Sequence, residues 1–283
     1  MFLLKKVYNN ILYKYKEYLT EESYIKVDYV KKLNNFGDIL NPVIIKRLIG
    51  RNVDIHSVNS KYYRKTYLMA IGSILQRANK QAIVWGSGFI ENESEIYQKP
   101  QKIYAVRGPK TRERLLQLNI QCPEVYGDPA LLIPKFFTPP FSEKKYKIGI
   151  IPHYVDKEHN WLKKTKNNKN VLIIDVQNPD PREVIKQMFC CETIASSSLH
   201  GLIVSDAYEI PNIWIKFSNN VRGGNFKYYD YFATTDRDNI KPYYIQESTD
   251  IQDIMKRVEK YKLVINVDKL VESFPNLDKI ITN

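Results

Sequence analysis

Six consecutive residues, Ser196-Ser197-Ser198-Leu199-His200-Gly201, carry the densest chemistry in the chain. Glu192 to Ala195, just before them, reads as the end of a short buried strand. Leu199, Leu202, Ile203 and Ala207 suit one face of a helix that Pro211 stops, and Ile213 to Phe217 reads as the next strand. A helix that opens straight off the carboxyl end of a strand aims free N–H groups into the crevice there. Its partial positive charge favours an anion. Ser196, Ser197 and Ser198 can cap that helix or donate to a ligand oxygen, and Gly201 has no side chain to block close approach. His200 falls in the first turn, where the helix field disfavours the imidazolium; a neutral imidazole there still exchanges protons near neutral pH. An ordinary capped helix with a structural histidine explains the same turn taken alone.

Other chemistry-bearing residues stand at the ends of other strand-like runs. Ile25 to Val30 leads into Asn34-Asn35-Phe36-Gly37-Asp38, and an apolar helical run follows from Ile39 to Ile49, with Pro42 fitting its first turn. Asp38 is a base or a helix-capping carboxylate. Ala82 to Trp85 ends in Gly86-Ser87-Gly88, a turn that lets backbone approach a ligand. Arg107 closes Ile103 to Val106, well placed to meet an anion with its planar fork. Asp128 is a ligand contact or the cap of a short helix. His153 ends the strand Lys147 to Ile151. Arg222, in a polar glycine loop, and Lys227, just after it, can add positive charge.

The elements that position these residues alternate. Val53 to Val58, Tyr67 to Ile71 and Val171 to Val176 read as further strands, Pro181 to Phe189 as a helix capped by Asp180, and Thr249 to Tyr261 as an amphipathic helix. The pattern predicts an α/β protein of two doubly wound Rossmann-like domains facing across a cleft. Residues 1–137 form the first domain. Residues 138–146, rich in proline and lysine, form a linker, and residues 147–283 form the second, with a tail helix that crosses back to the first.

Composition narrows the function classes. The 283 residues are 43% hydrophobic and 26% charged, a globular balance. No apolar run reaches the roughly 18 residues of a membrane span, and no cleavable signal pattern opens the chain. The odd cysteine count (Cys122, Cys190, Cys191) predicts reduced thiols and a cytoplasmic protein, and no Cys/His spacing predicts a metal. The net charge of +12 fits an anionic substrate or membrane surface; with lysines scattered and no nucleic-acid motif, nucleic acid is not the expected partner. Residues 1–20 read as a basic amphipathic helix, which packs on its own domain or lies on the inner face of a membrane.

Ser198-Leu199-His200-Gly201, with the following Asp206-Ala207-Tyr208 and Ile210-Pro211, resembles the C-terminal signature of the polysaccharide pyruvyl transferases. Asn35-Phe36-Gly37-Asp38, Arg107-Gly108 with Thr111, Tyr126-Gly127-Asp128-Pro129, Pro152-His153-Tyr154 and Lys227-Tyr228-Tyr229-Asp230-Tyr231 resemble further family elements, spread over roughly residues 30–235. The resemblance implies a GT-B-like fold. It also implies phosphoenolpyruvate as the donor substrate, with no cofactor, and a glycan or lipid-linked saccharide as acceptor. Under it, His200 is the acid and Asp38 the base. Arg107, Ser197, Ser198, Leu199, Gly201, Arg222, Lys227 and His153 face the donor, and Asn35, Gly37, Ser87 and Asp128 the acceptor. Family members often carry arginine where this chain has Ser198, so either Arg222, Lys227 or His153 supplies the missing charge or the donor is not phosphoenolpyruvate. A glycosyltransferase using a nucleotide sugar and a non-catalytic glycan- or anion-binding module are the alternatives.

Overall fold

The computed structural model describes residues 24–50, 54–60, 62–140, 143–238, 240–276 and 281–282. The basic helix expected over residues 1–20 lies outside them. The first sheet holds β1 (Tyr24–Asp28), β2 (Asp54–Val58), β3 (Tyr67–Met69), β4 (Ala82–Trp85) and β5 (Lys102–Ala105). These strands run parallel, β1 pairing with both β2 and β3, then β3 with β4 and β4 with β5. The second holds β6 (Tyr146–Ile151), β7 (Val171–Ile173), β8 (Cys191–Ser196), β9 (Asn212–Lys216) and β10 (Tyr243–Tyr244) in the order β10-β9-β8-β6-β7, all parallel. Parallel strands need helical crossovers that cover both faces. That is why β3 and β4 read as unbroken apolar runs and are buried at every residue.

The crossovers include α1 (Phe36–Ile49), α2 (Pro109–Gln117), α3 (Asn160–Thr165), α4 (Pro181–Phe189) and α5 (Leu199–Ala207). Past β9 come α6 (Phe226–Phe232), α7 (Ile251–Met255) and α8 (Val267–Glu272). Two of these differ from expectation. The first, α1, begins three residues before Ile39, so Pro42 lies inside the helix instead of in its first turn. The proline has no N–H for the Asp38 carbonyl, and the neighbouring Asn41 side chain donates to that carbonyl instead, at 3.2 Å. The buried Asn41 amide also exchanges two bonds with Ile71, at 3.1 and 2.9 Å, and so pins α1 to the end of β3. The second, the helix expected from Thr249 to Tyr261, ends at Met255. Beyond it Glu259 pairs with Asn212 at the start of β9, whose N–H donates to the Glu259 carbonyl at 2.8 Å. Sheet pairing claims the backbone that an amphipathic pattern assigned to a helix.

The two sheets share one core. Leu40, Ile44 and Leu48 of α1 cluster with Leu202 and Ile203 of α5, and α5 also packs on the short helical turn Pro129–Lys135. The tail returns to the first sheet. The Trp85 indole N–H donates to the Leu270 carbonyl of α8 at 2.9 Å, Phe274 meets the same ring edge-on, and Ile281–Thr282 pairs antiparallel with β1.

Candidate active site

Chain segments leaving the carboxyl ends of β1, β3, β6 and β8 converge on a cavity of about 180 Å3. The open edge of parallel sheets is where their loops and helix N-termini meet, so ligands bind there. Asn35 and Asp38 come from the start of α1, Ser73 from the turn after β3, and His153 from the segment after β6. The head of α5 brings Ser198, Leu199 and His200, and the loop into α6 brings Arg222 and Lys227.

The serine turn divides its labour. Ser196 Oγ accepts the Ser198 N–H at 3.0 Å and donates to the Ser198 carbonyl at 2.8 Å, which locks the turn. Ser197 Oγ accepts the His153 N–H at 2.8 Å, and the Ser197 carbonyl accepts the Tyr228 hydroxyl at 2.6 Å. Ser198 is the N-cap of α5, yet its hydroxyl makes no capping bond, which leaves it for the cavity. The first-turn N–H groups of α5 have no acceptor within the helix and point the same way. Gly201 sits behind this turn against Ser196 Oγ, where a Cβ would come within 2.3 Å of that oxygen.

His200 is held between two partners from the first half of the chain. Asp128 Oδ1 caps the following helical turn by accepting the Ala130 N–H at 2.9 Å. Its Oδ2 stands 3.4 Å from His200 Nε2, and the contact is fully sheltered on the Asp128 side. Neither atom has another hydrogen-bond partner. The carboxylate is placed to accept from Nε2–H and so to orient the ring, as an orienting aspartate does. On its other side the ring rests on Gly37: a Cβ there would lie 2.0 Å from Nδ1. Gly37 and Asp128 thus reach the site through His200, whereas Asn35 and Asp38 line the cavity. Asp38 Oδ1 accepts the Val30 N–H at 3.1 Å and Oδ2 the Asn35 amide at 2.9 Å, so this carboxylate also folds the loop before α1.

The cations differ from the sequence expectation. Arg107 is fully buried and absent from the cavity wall. Its Nε–H donates to Asp230 Oδ2 at 2.9 Å, one amino group to Ser73 Oγ at 2.6 Å and the other to the Phe89 carbonyl at 2.7 Å. Asp230 in turn accepts the Thr111 N–H and hydroxyl, both at 2.7 Å. A guanidinium at a strand end met an internal carboxylate from α6, and it positions Ser73 instead of facing the cavity. Ser87 is likewise internal, its hydroxyl donating to the Ala70 carbonyl at 2.9 Å. Lys227 does line the cavity, with its ammonium donating to the Arg222 carbonyl at 3.3 Å. Burial, aided by the nearby Arg107 charge, lowers its pKa to about 8. His153 lines the cavity too, but burial and the Lys227 charge lower its pKa to about 3. It is a neutral hydrogen-bonding group, not a substitute cation. Arg222, on the exposed rim, and Lys227 are the cations at this wall. Ser73, Ile74, Ile90 and Tyr154 also line it; of these the sequence singled out Tyr154 alone, through the Pro152-His153-Tyr154 resemblance.

Among the described residues, no group of three metal-ligating side chains comes together, and no helix is long and apolar enough to cross a membrane.

Two largely parallel α/β sheets thus carry a cationic, histidine-bearing cavity at their strand ends. Residues 3–219 match the polysaccharide pyruvyl transferase family, and the chain belongs to that family. It is 31% identical over 233 residues to the uncharacterized protein L143 of Acanthamoeba polyphaga mimivirus, covering 79% of each chain. It is 27% identical over 209 residues to the succinoglycan biosynthesis protein ExoV of Rhizobium meliloti (strain 1021), covering 71% of this chain and 61% of ExoV.

Proposed function

We propose that this chain transfers the pyruvyl group of phosphoenolpyruvate to a saccharide of a cell-surface polysaccharide or its lipid-linked precursor, forming a pyruvate ketal. The observation that carries this reading is the single cavity joining Lys227, Arg222, the open head of α5 and the Asp128-backed His200. The donor needs a cationic, N–H-rich cradle for its phosphate and carboxylate, and Lys227, Arg222, the Ser198 hydroxyl and the α5 N–H groups offer one. His200 delivers a proton to the vinyl carbon, which leaves C2 oxocarbenium-like. A sugar hydroxyl loses its proton and bonds to C2, and the C2–O bond to phosphate breaks. A second hydroxyl then bonds to C2, returning its proton to His200, and completes the ketal ring. Asp38, at the cavity wall near the start of α1, is the base for the acceptor. Acid–base help of this kind contributes on the order of 10²–10⁴ in rate.

A cavity of about 180 Å3 admits a three-carbon phosphate ester. The two sheets correspond in this reading to the facing domains of a GT-B-like enzyme acting in the cytoplasm or at the inner face of a membrane. Phosphate release from phosphoenolpyruvate, measured with galactose, mannose, N-acetylmannosamine and lipid-linked acceptors, tests it. Acceptor-dependent release that collapses in His200→Ala is expected. Absence of release, together with no thermal stabilisation by phosphoenolpyruvate, sinks it.

A further inference from the structure

A second cavity, of about 240 Å3, lies against β9 and shares no lining residue with the first. Arg237, Lys241 and Arg257 meet there with Trp214, Tyr243 and Tyr261. Arg237 is its anchor. Only 8% exposed, it directs one amino group to both oxygens of Asp206 and to Asn212 Oδ1, each at 2.8 Å. Its guanidinium lies 3.6 Å from the Tyr261 ring centre and 4.6 Å from that of Phe232. Its Nε–H is buried without a partner, a state that native interiors seldom tolerate without a reason. Asp206 is heavily engaged besides, accepting the Tyr231 hydroxyl at 2.7 Å and the Asn212 amide at 2.6 Å. Arg257 adds a second stacked cation, 5.1 Å from the Tyr243 ring centre. Asp206 pairs with Arg237, and Glu259 lies beside Tyr261.

Cations held on aromatic rings offer two things at once: charge-assisted donors for an oxyanion, and electron-rich rings for the positively polarised C–H face of a sugar. We propose that this cavity binds an acidic or phosphorylated sugar unit, with its ring against Tyr243 and Tyr261 and its oxyanion on Lys241 and Arg257 above Arg237. The site is physically joined to the first one. Trp214 lines it and stacks on Tyr228 at 4.4 Å, and the Tyr228 hydroxyl bonds the Ser197 carbonyl at the head of α5. The ligand class follows from this cavity's own chemistry and does not depend on the donor used in the other.

Isothermal titration of the full chain with glucuronate, glucose 1-phosphate and glucose tests the assignment. The double variant Lys241→Ala/Arg257→Ala removes two exposed cations and leaves the buried Arg237–Asp206 pair intact. Lys227→Ala disables the other anion site. At least one of the two anionic sugars should bind, and the tighter one names the oxyanion. Glucose should bind at least tenfold more weakly. The double variant should lose roughly tenfold or more in affinity, while Lys227→Ala should bind as the wild type does. Binding by neither anion, equal binding of glucose, or a loss that follows Lys227→Ala instead of the double variant would overturn the proposal. None of these readings uses phosphoenolpyruvate, so they stand apart from the phosphate-release experiment.

Discussion

At His200, the geometry sets up a sharp test of positioning. Gly37 lies within α1, where alanine is the better helix former by roughly 1 kcal/mol. Yet its Cβ would fall 2.0 Å from His200 Nδ1 and displace the ring from Asp128. Gly37→Ala should therefore lower turnover on the order of 10²-fold, with an overpacking cost of about 1–3 kcal/mol in stability. Steady-state rates beside a urea titration separate the two effects. Lys227 gives a pH signature. Its folded pKa, about 8, lies below the ordinary 10.5, so the native chain holds fewer protons than the unfolded one between those values. Its contribution to stability therefore rises with pH through that window, whereas donor affinity falls as pH climbs past 8 and the ammonium discharges. Binding of phosphoenolpyruvate measured from pH 7 to 10 should show that fall, and Lys227→Met should flatten it. Much of the site was legible because strand ends, glycine turns and helix starts are local features. That is how Asn35, Asp38, His153, Ser198, His200 and Lys227 were found together. Arg107 was misplaced because its partner, Asp230, is 123 residues away, and no local pattern reveals a carboxylate that arrives from another helix.

Among the elements, two buried polar clamps carry the architecture. Asn41 repairs the bond that Pro42 removes and ties α1 to β3. Asn41→Leu strands both the Ile71 amide and carbonyl and should cost about 1–3 kcal/mol for each group left unpaired, read as a lower urea midpoint with an unchanged slope. The second clamp is Arg107–Asp230, both side chains fully shielded from solvent. Removing one partner leaves a buried charge alone, so Arg107→Ala should lose about 3–5 kcal/mol. If Arg107 instead touched donor directly, the same variant would keep its stability and lose only affinity. The strands and α4 were readable from apolar runs and caps. The long helix expected after Thr249 was not, since its pattern of Ile251, Ile254, Met255 and Val258 is equally satisfied by one short helix and a chain segment paired to β9. Periodicity states which residues face inward; it does not state which backbone a distant strand will recruit.

For the whole molecule, the question is whether the two sheets unfold as one. The second half of the chain supplies His200 and Lys227 and the first supplies Gly37, Asp38 and Asp128, so the cavity exists only while both halves are apposed. What holds them is a common apolar cluster, the Arg107–Asp230 clamp and the tail that returns to Trp85. A core shared in this way couples the sheets more tightly than a small polar contact between independent domains would. Trp85 reports on the first sheet, and Trp161 and Trp214 on the second. Variants retaining only Trp85 or only Trp214 should then give coincident thermal transitions. A bound donor that bridges the halves should raise both together, by about 2.7 kcal/mol at a hundredfold excess over Kd. Asp230→Asn, which keeps the shape of the clamp and removes its negative charge, should lower both transitions by the same amount. Two separated transitions in the unmodified clamp would mean that each sheet carries its own stability, and that the shared cluster is contact without cooperation.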